Sequence, residues 1–136
     1  MAEKQENFDQ LRYLHDVYAR EYETLLGEIQ NYVMISSSFG RSKEVLSKVD
    51  SFNDSNLLLS IEAGAFVRVN AKDFKSLIVQ VGYGYLVEKN IDEAKEYISK
   101  NAEKVENNLK QLVQQRVAVE KELIDITYKL EAMQQA

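Results

Sequence analysis

Side chains of the types used in catalysis or metal binding are scarce in this sequence and lack partners at useful spacings. His15 is the single histidine and there is no cysteine, so no second imidazole or thiolate could join it in a metal site. His15 also falls on an apolar helical stripe, and we interpret it as a seam residue rather than as a ligand or a general base. Ser36, Ser37 and Ser38 lack the strand-to-helix turn that presents a nucleophilic serine, and a shared helical face explains them better. The sequence therefore predicts no enzyme activity, no cofactor and no metal site.

Two short motifs resemble parts of nucleotide-binding or catalytic sites but are better explained as structural elements. Gly82-Tyr83-Gly84 lacks the third glycine and the Lys-Ser or Lys-Thr pair of a phosphate-binding loop, so we interpret it as a hairpin turn. The adjacent carboxylates Asp92 and Glu93 stand at the predicted start of a helix, where the helix dipole favours negative charge. Asn90 is the predicted N-cap of that helix, with Glu93 three residues on completing a pattern like a capping box.

Composition and charge exclude several classes of protein. The chain has 136 residues, of which 45% are hydrophobic and 29% are charged, and this is typical of one ordered domain. Its 17 Lys and Arg against 22 Asp and Glu give a formal charge of −5, which argues against nucleic-acid binding because that depends on a basic surface. The polar start MAEKQENFDQ and the absence of about 18 consecutive apolar residues predict neither a signal peptide nor a membrane span. We expect a soluble, cytoplasmic protein.

The elements that position these residues are two long amphipathic helices, predicted over residues 1–50 and 90–136. Their apolar residues recur at heptad spacing, which predicts a coiled coil, and a helix of about 40 residues extends roughly 60 Å. Residues 47–55 are rich in Ser, Asn and Asp, which favour turns and predict the end of the first helix. The first stripe consists of Phe8, Leu11, His15, Tyr18, Tyr22, Leu25, Ile29, Tyr32, Ser36, Phe39, Lys43 and Leu46. The second consists of Lys95, Ile98, Ala102, Val105, Leu109, Leu112, Arg116, Val119, Leu123, Ile126, Leu130 and Met133.

An antiparallel pairing of the stripes predicts a register in which facing residue numbers sum to 141. It pairs Ile29 with Leu112 and leaves residues 47–94 outside the coil. Arg116, which interrupts the second stripe, then faces Leu25, with Glu21 or Glu28 near enough to pair. Its stem either lies in the seam with the guanidinium in water, or the residue fixes the register.

The segment between the helices, residues 56–89, carries three of the five glycines and predicts two β-hairpins. Four strands are predicted at Leu57–Ile61, Ala65–Val69, Leu77–Val81 and Tyr85–Glu88. Isolated two-stranded hairpins are marginal in water and their edges invite pairing with other chains. We therefore expect hairpins of several subunits to close a shared sheet or barrel. The expected assembly residues are Phe66, Val67, Val69, Leu77, Val79, Val81, Tyr85 and Val87.

This order of elements resembles the alpha-class subunit of prefoldin. The resemblance rests on LLLSIEAGAFVRV, on LIVQVGYGYLVEKNIDEAKEYI and on the flanking heptads. The family's first hairpin usually has a proline and an extra glycine, where this chain has Ser60 and Glu62. The resemblance implies a single prefoldin-like domain over residues 1–136 and an ATP-independent chaperone. It further implies a hexamer of two alpha-class and four beta-class subunits around a double β-barrel, which passes unfolded proteins to a group II chaperonin in the cytosol.

The apolar residues at the free ends of the helices are the predicted contacts with unfolded client proteins. Methionine and aromatic side chains suit adaptable binding of varied sequences, although the same residues could simply hold the coil together. They are Phe8, Leu11, Leu14, Tyr18, Ile126, Leu130 and Met133. The alternative function is a coiled-coil scaffold or tether without client binding. An arm of a larger enzyme such as an aminoacyl-tRNA synthetase is disfavoured, because such an arm would be basic and lack the hairpins.

Overall fold

The computed structural model describes residues 1–52, 55–72 and 75–135, and these form two long helices with two small hairpins between them. Residues 53 and 54 of the predicted turn, and residue 136 of the predicted second helix, lie outside the described residues. The mainly helical fold class with a small β-region is confirmed. In chain order the elements are helix α1 at Ala2–Ser47, a 3-10 turn at Val49–Phe52, strands β1 at Asn56–Ser60, β2 at Phe66–Asn70, β3 at Ser76–Gly82 and β4 at Tyr85–Asn90, and helix α2 at Ile91–Gln135.

The chain divides into two compact units. The first unit consists of Met1–Ile35 and Val105–Ala136. Every predicted stripe position in this unit is buried or half-buried. Leu25, Val119 and Ile126 are the buried hydrophobic residues among its described residues. The chain has no proline, so the backbone hydrogen bonds of both helices continue without a missing donor. The stripe is thus a packed seam between the two helical segments, as the heptad pattern predicts.

The second unit, Ser36–Lys104, contains one correction to the predicted seam. The heptad pattern places Lys43 in the stripe, but Lys43 is exposed and Ser42 is half-buried instead. The buried face continues through Leu46 to Val49, which is only 1% exposed. Ser42 follows Phe39 by three residues rather than four, and such an extra three-residue step shifts a heptad stripe around the helix. The Lys43 ammonium therefore stays in water, and the small Ser42 side chain takes the inner position.

The hairpins of the second unit have the predicted partners with slightly different bounds. β1 pairs antiparallel with β2, Leu57 opposite Val69, and β3 pairs with β4, Val79 opposite Val87. The strand β2 begins at Phe66 rather than at Ala65. Ala65 belongs to the turn, since its backbone N–H donates to the Glu62 carbonyl at 3.0 Å.

The turn of the first hairpin places three consecutive residues in the left-handed region of φ. The values are 77° for Glu62, 52° for Ala63 and 77° for Gly64. Only glycine adopts this region without a steric cost from Cβ. The first hairpin therefore turns through Glu62, Ala63 and Gly64, and two of these three residues are held in a conformation that costs them energy.

The start of α2 is fixed by the predicted cap and by contacts with the second hairpin. The Glu93 backbone N–H donates to Asn90 Oδ1 at 2.8 Å, which satisfies one of the free donors of the first turn. The Tyr97 hydroxyl donates to the Gln80 carbonyl at 3.5 Å, and Lys89 Nζ lies 5.4 Å from the Tyr97 ring centroid. These contacts tie α2 to both strands of the hairpin.

Candidate interaction surfaces

A hollow of about 530 Å³ lies where the chain begins and α2 ends, within the first unit. Two predicted client contacts, Phe8 and Met133, line it together, as the predicted register requires at this end. Met1, Lys4, Gln5 and Ala132 complete its lining. The walls are mainly apolar side chains, and no cluster of catalytic groups lines them.

A second hollow of about 480 Å³ lies beside the first and shares Ala132 and Met133 with it. Leu11 and Leu14 line it from α1, and Leu14 is 41% exposed. Four of the seven predicted client contacts thus line two neighbouring hollows.

The other three predicted client contacts line neither hollow. Tyr18 and Leu130 are half-buried, and Ile126 is only 4% exposed. In this conformation Ile126 packs between the helices, which is the alternative that the sequence left open. Client contact by these three residues stays a prediction.

Two polar seam residues of the first unit, His15 and Arg116, lie where the heptads place them. His15 is half-buried, and its Nδ1 lies 3.8 Å from Asp16 Oδ1. Arg116 is also half-buried, and its Nε is buried without a hydrogen-bond partner. In the part of the chain that the structure describes, Arg116 pairs with neither Glu21 nor Glu28. Its stem lies in the seam, but its inner nitrogen is left unsatisfied.

The hairpins expose most of their apolar side chains. Five predicted assembly residues are exposed, namely Phe66, Val67, Val69, Tyr85 and Val87. The other three, Leu77, Val79 and Val81, are half-buried. Leu77 and Val79 line a hollow of about 480 Å³ with the end of α1 and with Ile98 of α2.

In the second hairpin, the face opposite Leu77 and Val79 is the more exposed one, with Ile78 72% exposed and Leu86 67% exposed. In the first hairpin, Leu58 is 66% exposed and shares a face with the predicted assembly residue Phe66. Strand alternation already places Ile78 opposite in direction to Leu77 and Val79. The sequence pattern does not show which of the two faces of β3 the chain's own helices cover.

Other kinds of site find no support in the described ranges. Among these residues, no three His, Cys, Asp or Glu side chains are grouped to hold a metal ion. No described helix is both long enough and apolar enough to cross a membrane.

Comparison with known proteins finds a family that matches this chain of two helices and two hairpins. The family model described as prefoldin subunit matches residues 18–136. The chain belongs to the prefoldin subunit family. Its curated relatives carry the name prefoldin subunit alpha, and this chain is an alpha-class prefoldin subunit.

Three archaeal relatives show how far the similarity extends. The chain is 30% identical over 102 residues to prefoldin subunit alpha of Methanococcus maripaludis, covering 75% of this chain and 69% of the relative. It is 32% identical over 104 residues to that of Thermofilum pendens, covering 76% and 78%. With prefoldin subunit alpha of Pyrococcus horikoshii it is 24% identical over 137 residues, covering 99% and 93%.

A solved structure supports the fold of this prefoldin subunit independently. It is the cryo-EM structure of filamentous PFD from Methanocaldococcus jannaschii, with a TM-score of 0.56. The match covers 87% of this chain and 93% of that chain at 21% identity. Prefoldins are non-enzymatic chaperone subunits, and a chaperone-type role follows from membership in the family.

Proposed function

We propose that this alpha-class subunit, a single prefoldin-like domain over residues 1–136, holds unfolded proteins without ATP. The observation that supports this proposal most directly is the pair of apolar hollows lined by Phe8, Leu11, Leu14 and Met133. Non-native proteins expose apolar surface, and covering that surface is favourable without any nucleotide. Fully burying one such side chain contributes roughly 1.5–3 kcal/mol, so a few partial contacts bind weakly.

Weak contacts become useful when several subunits act together. The subunit assembles through its hairpins with beta-class prefoldin subunits, two alpha-class and four beta-class chains closing a double β-barrel. The exposed apolar side chains of the hairpins, among them Phe66, Ile78 and Leu86, support this proposal because an isolated hairpin gains little from leaving them in water. Six pairs of helices then raise the effective concentration for each further client contact. The held client passes to a group II chaperonin, and the setting is the cytoplasm.

The test is suppression of aggregation of a chemically denatured protein by the complex with a beta-class partner, with and without ATP. Light scattering should fall to the same extent in both conditions. Leu14→Ser should weaken the suppression, because it removes an exposed apolar side chain from the second hollow. Met34→Ser is the matched control, since Met34 is 64% exposed on the same helix but lines neither hollow.

A scaffold or tether without client binding is the competing function. An assembled complex that leaves aggregation unchanged would favour it. Equal losses in the Leu14 and Met34 variants would move client binding away from the hollows. Removal of residues 1–12 and 128–136 should preserve the hexamer and abolish most client retention.

A further inference from the structure

A third groove of about 470 Å³ in the first unit lies on a face of α2 that the predicted client contacts do not include. Its floor is formed by Leu123 and Ile124 of α2 and by two tyrosines, Tyr22 of α1 and Tyr128 of α2. Ile124 is 51% exposed and Tyr128 is 69% exposed. The Thr127 hydroxyl in the wall donates to the Leu123 carbonyl at 2.7 Å, so the groove surface is mainly aromatic and aliphatic.

The two ends of this groove carry carboxylates, Glu120 and Glu131. They stand eleven positions apart on one helix, which corresponds to about 16 Å along its axis. Neither carboxylate forms an ion pair within the described portion of the chain. The nearby Lys129 forms an ion pair with Asp125 instead, with its Nζ 3.1 Å from Asp125 Oδ2. An apolar groove with a free negative charge at each end favours a ligand with positive charges flanking apolar residues.

The charge distribution of the whole chain points the same way. The segments of the first unit, Met1–Ile35 and Val105–Ala136, contain 12 Asp and Glu against seven Lys and Arg. Ser36–Lys104 contains ten of each. The formal charge of −5 therefore belongs entirely to the unit that holds the groove, and it attracts cationic segments toward it.

We propose that this groove binds client segments in which two basic residues flank a short apolar stretch, an inference that rests on the proposed client-holding function. An extended chain advances about 3.3 Å per residue, so basic residues five positions apart match the separation of Glu120 and Glu131. The apolar stretch covers Leu123 and Ile124. The tyrosine rings add a cation–π contact where a Lys or Arg side chain crosses them.

The test uses the assembled complex and three fluorescein-labelled unstructured peptides of equal length and equal apolar content. One has Lys at positions five apart, the second has Gln there and the third has Glu. Anisotropy titrations at low salt should rank the affinities Lys above Gln above Glu, with roughly two- to tenfold between the first two. The Lys preference should shrink at 1 M salt, where the screening length is about 3 Å.

The variant Glu120→Gln with Glu131→Gln tests the site itself, because it keeps side-chain size and removes both charges. Its affinity for the Lys peptide should fall to that of the Gln peptide. The matched control, Glu106→Gln with Glu122→Gln, removes the same charge from exposed positions of α2 outside the groove and should retain the preference.

Three results would overturn the proposal. If the complex suppresses aggregation and binds the three peptides equally, the groove inference is wrong while the client-holding function stands. If both double variants lose the preference to the same degree, general charge explains it and the groove does not. If the complex neither suppresses aggregation nor binds any peptide, the proposed function and this inference fail together.

Discussion

Replacement of Arg116 by leucine should stabilise the paired helices. The Arg116 Nε is buried without a hydrogen-bond partner, and the side chain interrupts a stripe of apolar residues. A buried donor without a partner costs about 1–3 kcal/mol. Arg and Leu have nearly equal helix propensities, so the change acts through the seam. We expect Arg116→Leu to raise the free energy of unfolding by about 1–3 kcal/mol.

The assay is urea unfolding followed by circular dichroism at 222 nm, with the midpoint compared at equal slope. Lys110→Leu is the matched control, since Lys110 is exposed on the same helix and a surface change of this kind usually stays within about 0.5 kcal/mol. Arg116→Lys should gain little, because the ammonium reaches water but the seam stays unfilled. If Arg116→Leu lowered the midpoint, the guanidinium would have a stabilising partner in solution, and the reasoning from its orphaned Nε would be wrong.

Three further predictions concern assembly, capping and register. Phe66→Asp, at a side chain that is 60% exposed, should abolish the oligomer in sedimentation without loss of helical content; an unchanged particle would contradict assembly through the hairpins. Asn90→Ala should destabilise the chain by about 0.5–2 kcal/mol in urea, whereas Asn107→Ala, exposed inside α2, should not, and equal effects would refute the capping role. Cysteines at Ile29 and Leu112 should form an intrachain disulfide on mild oxidation; efficient crosslinking only in a pair shifted by seven residues would change the register.

Much of the secondary structure could be predicted because its signals are local. The heptad stripes and the cap at Asn90 depend on residues within a few positions of each other. The hairpin turns depend on residues such as Gly64 and Gly84, both with positive φ. These signals do not require knowledge of the rest of the fold.

The errors concern choices that depend on tertiary packing. The heptad spacing places Lys43 in the seam. In the structure Ser42 takes that inner position, because it lies on the same face of the helix as the buried residues Leu46 and Val49. Strand alternation gives two faces of β3, and only the position of the helices decides that Leu77 and Val79 are the covered ones.

The groove around Tyr128 was missed for a related reason. Glu120, Ile124 and Tyr128 lie outside the seam, where the pattern indicates only a solvated helix face. The groove exists because Tyr22 of the other helix stands beside them. Spacing within one helix contains no information about that neighbour.

The first hairpin buries few side chains and contains two non-glycine residues at positive φ, so its stability should depend on protein concentration. Among the residues of β1 and β2 only Leu57 is half-buried, and the turn between the strands holds Glu62 and Ala63 at positive φ. Elements with few buried contacts open at low free energy, so amide exchange at Ile61 and Ala65 should be fast in dilute, unassembled protein. Binding of the folded form stabilises it by mass action. Protection of these two amides should therefore rise with protein concentration, while that of the seam residues Leu25 and Val119 changes far less.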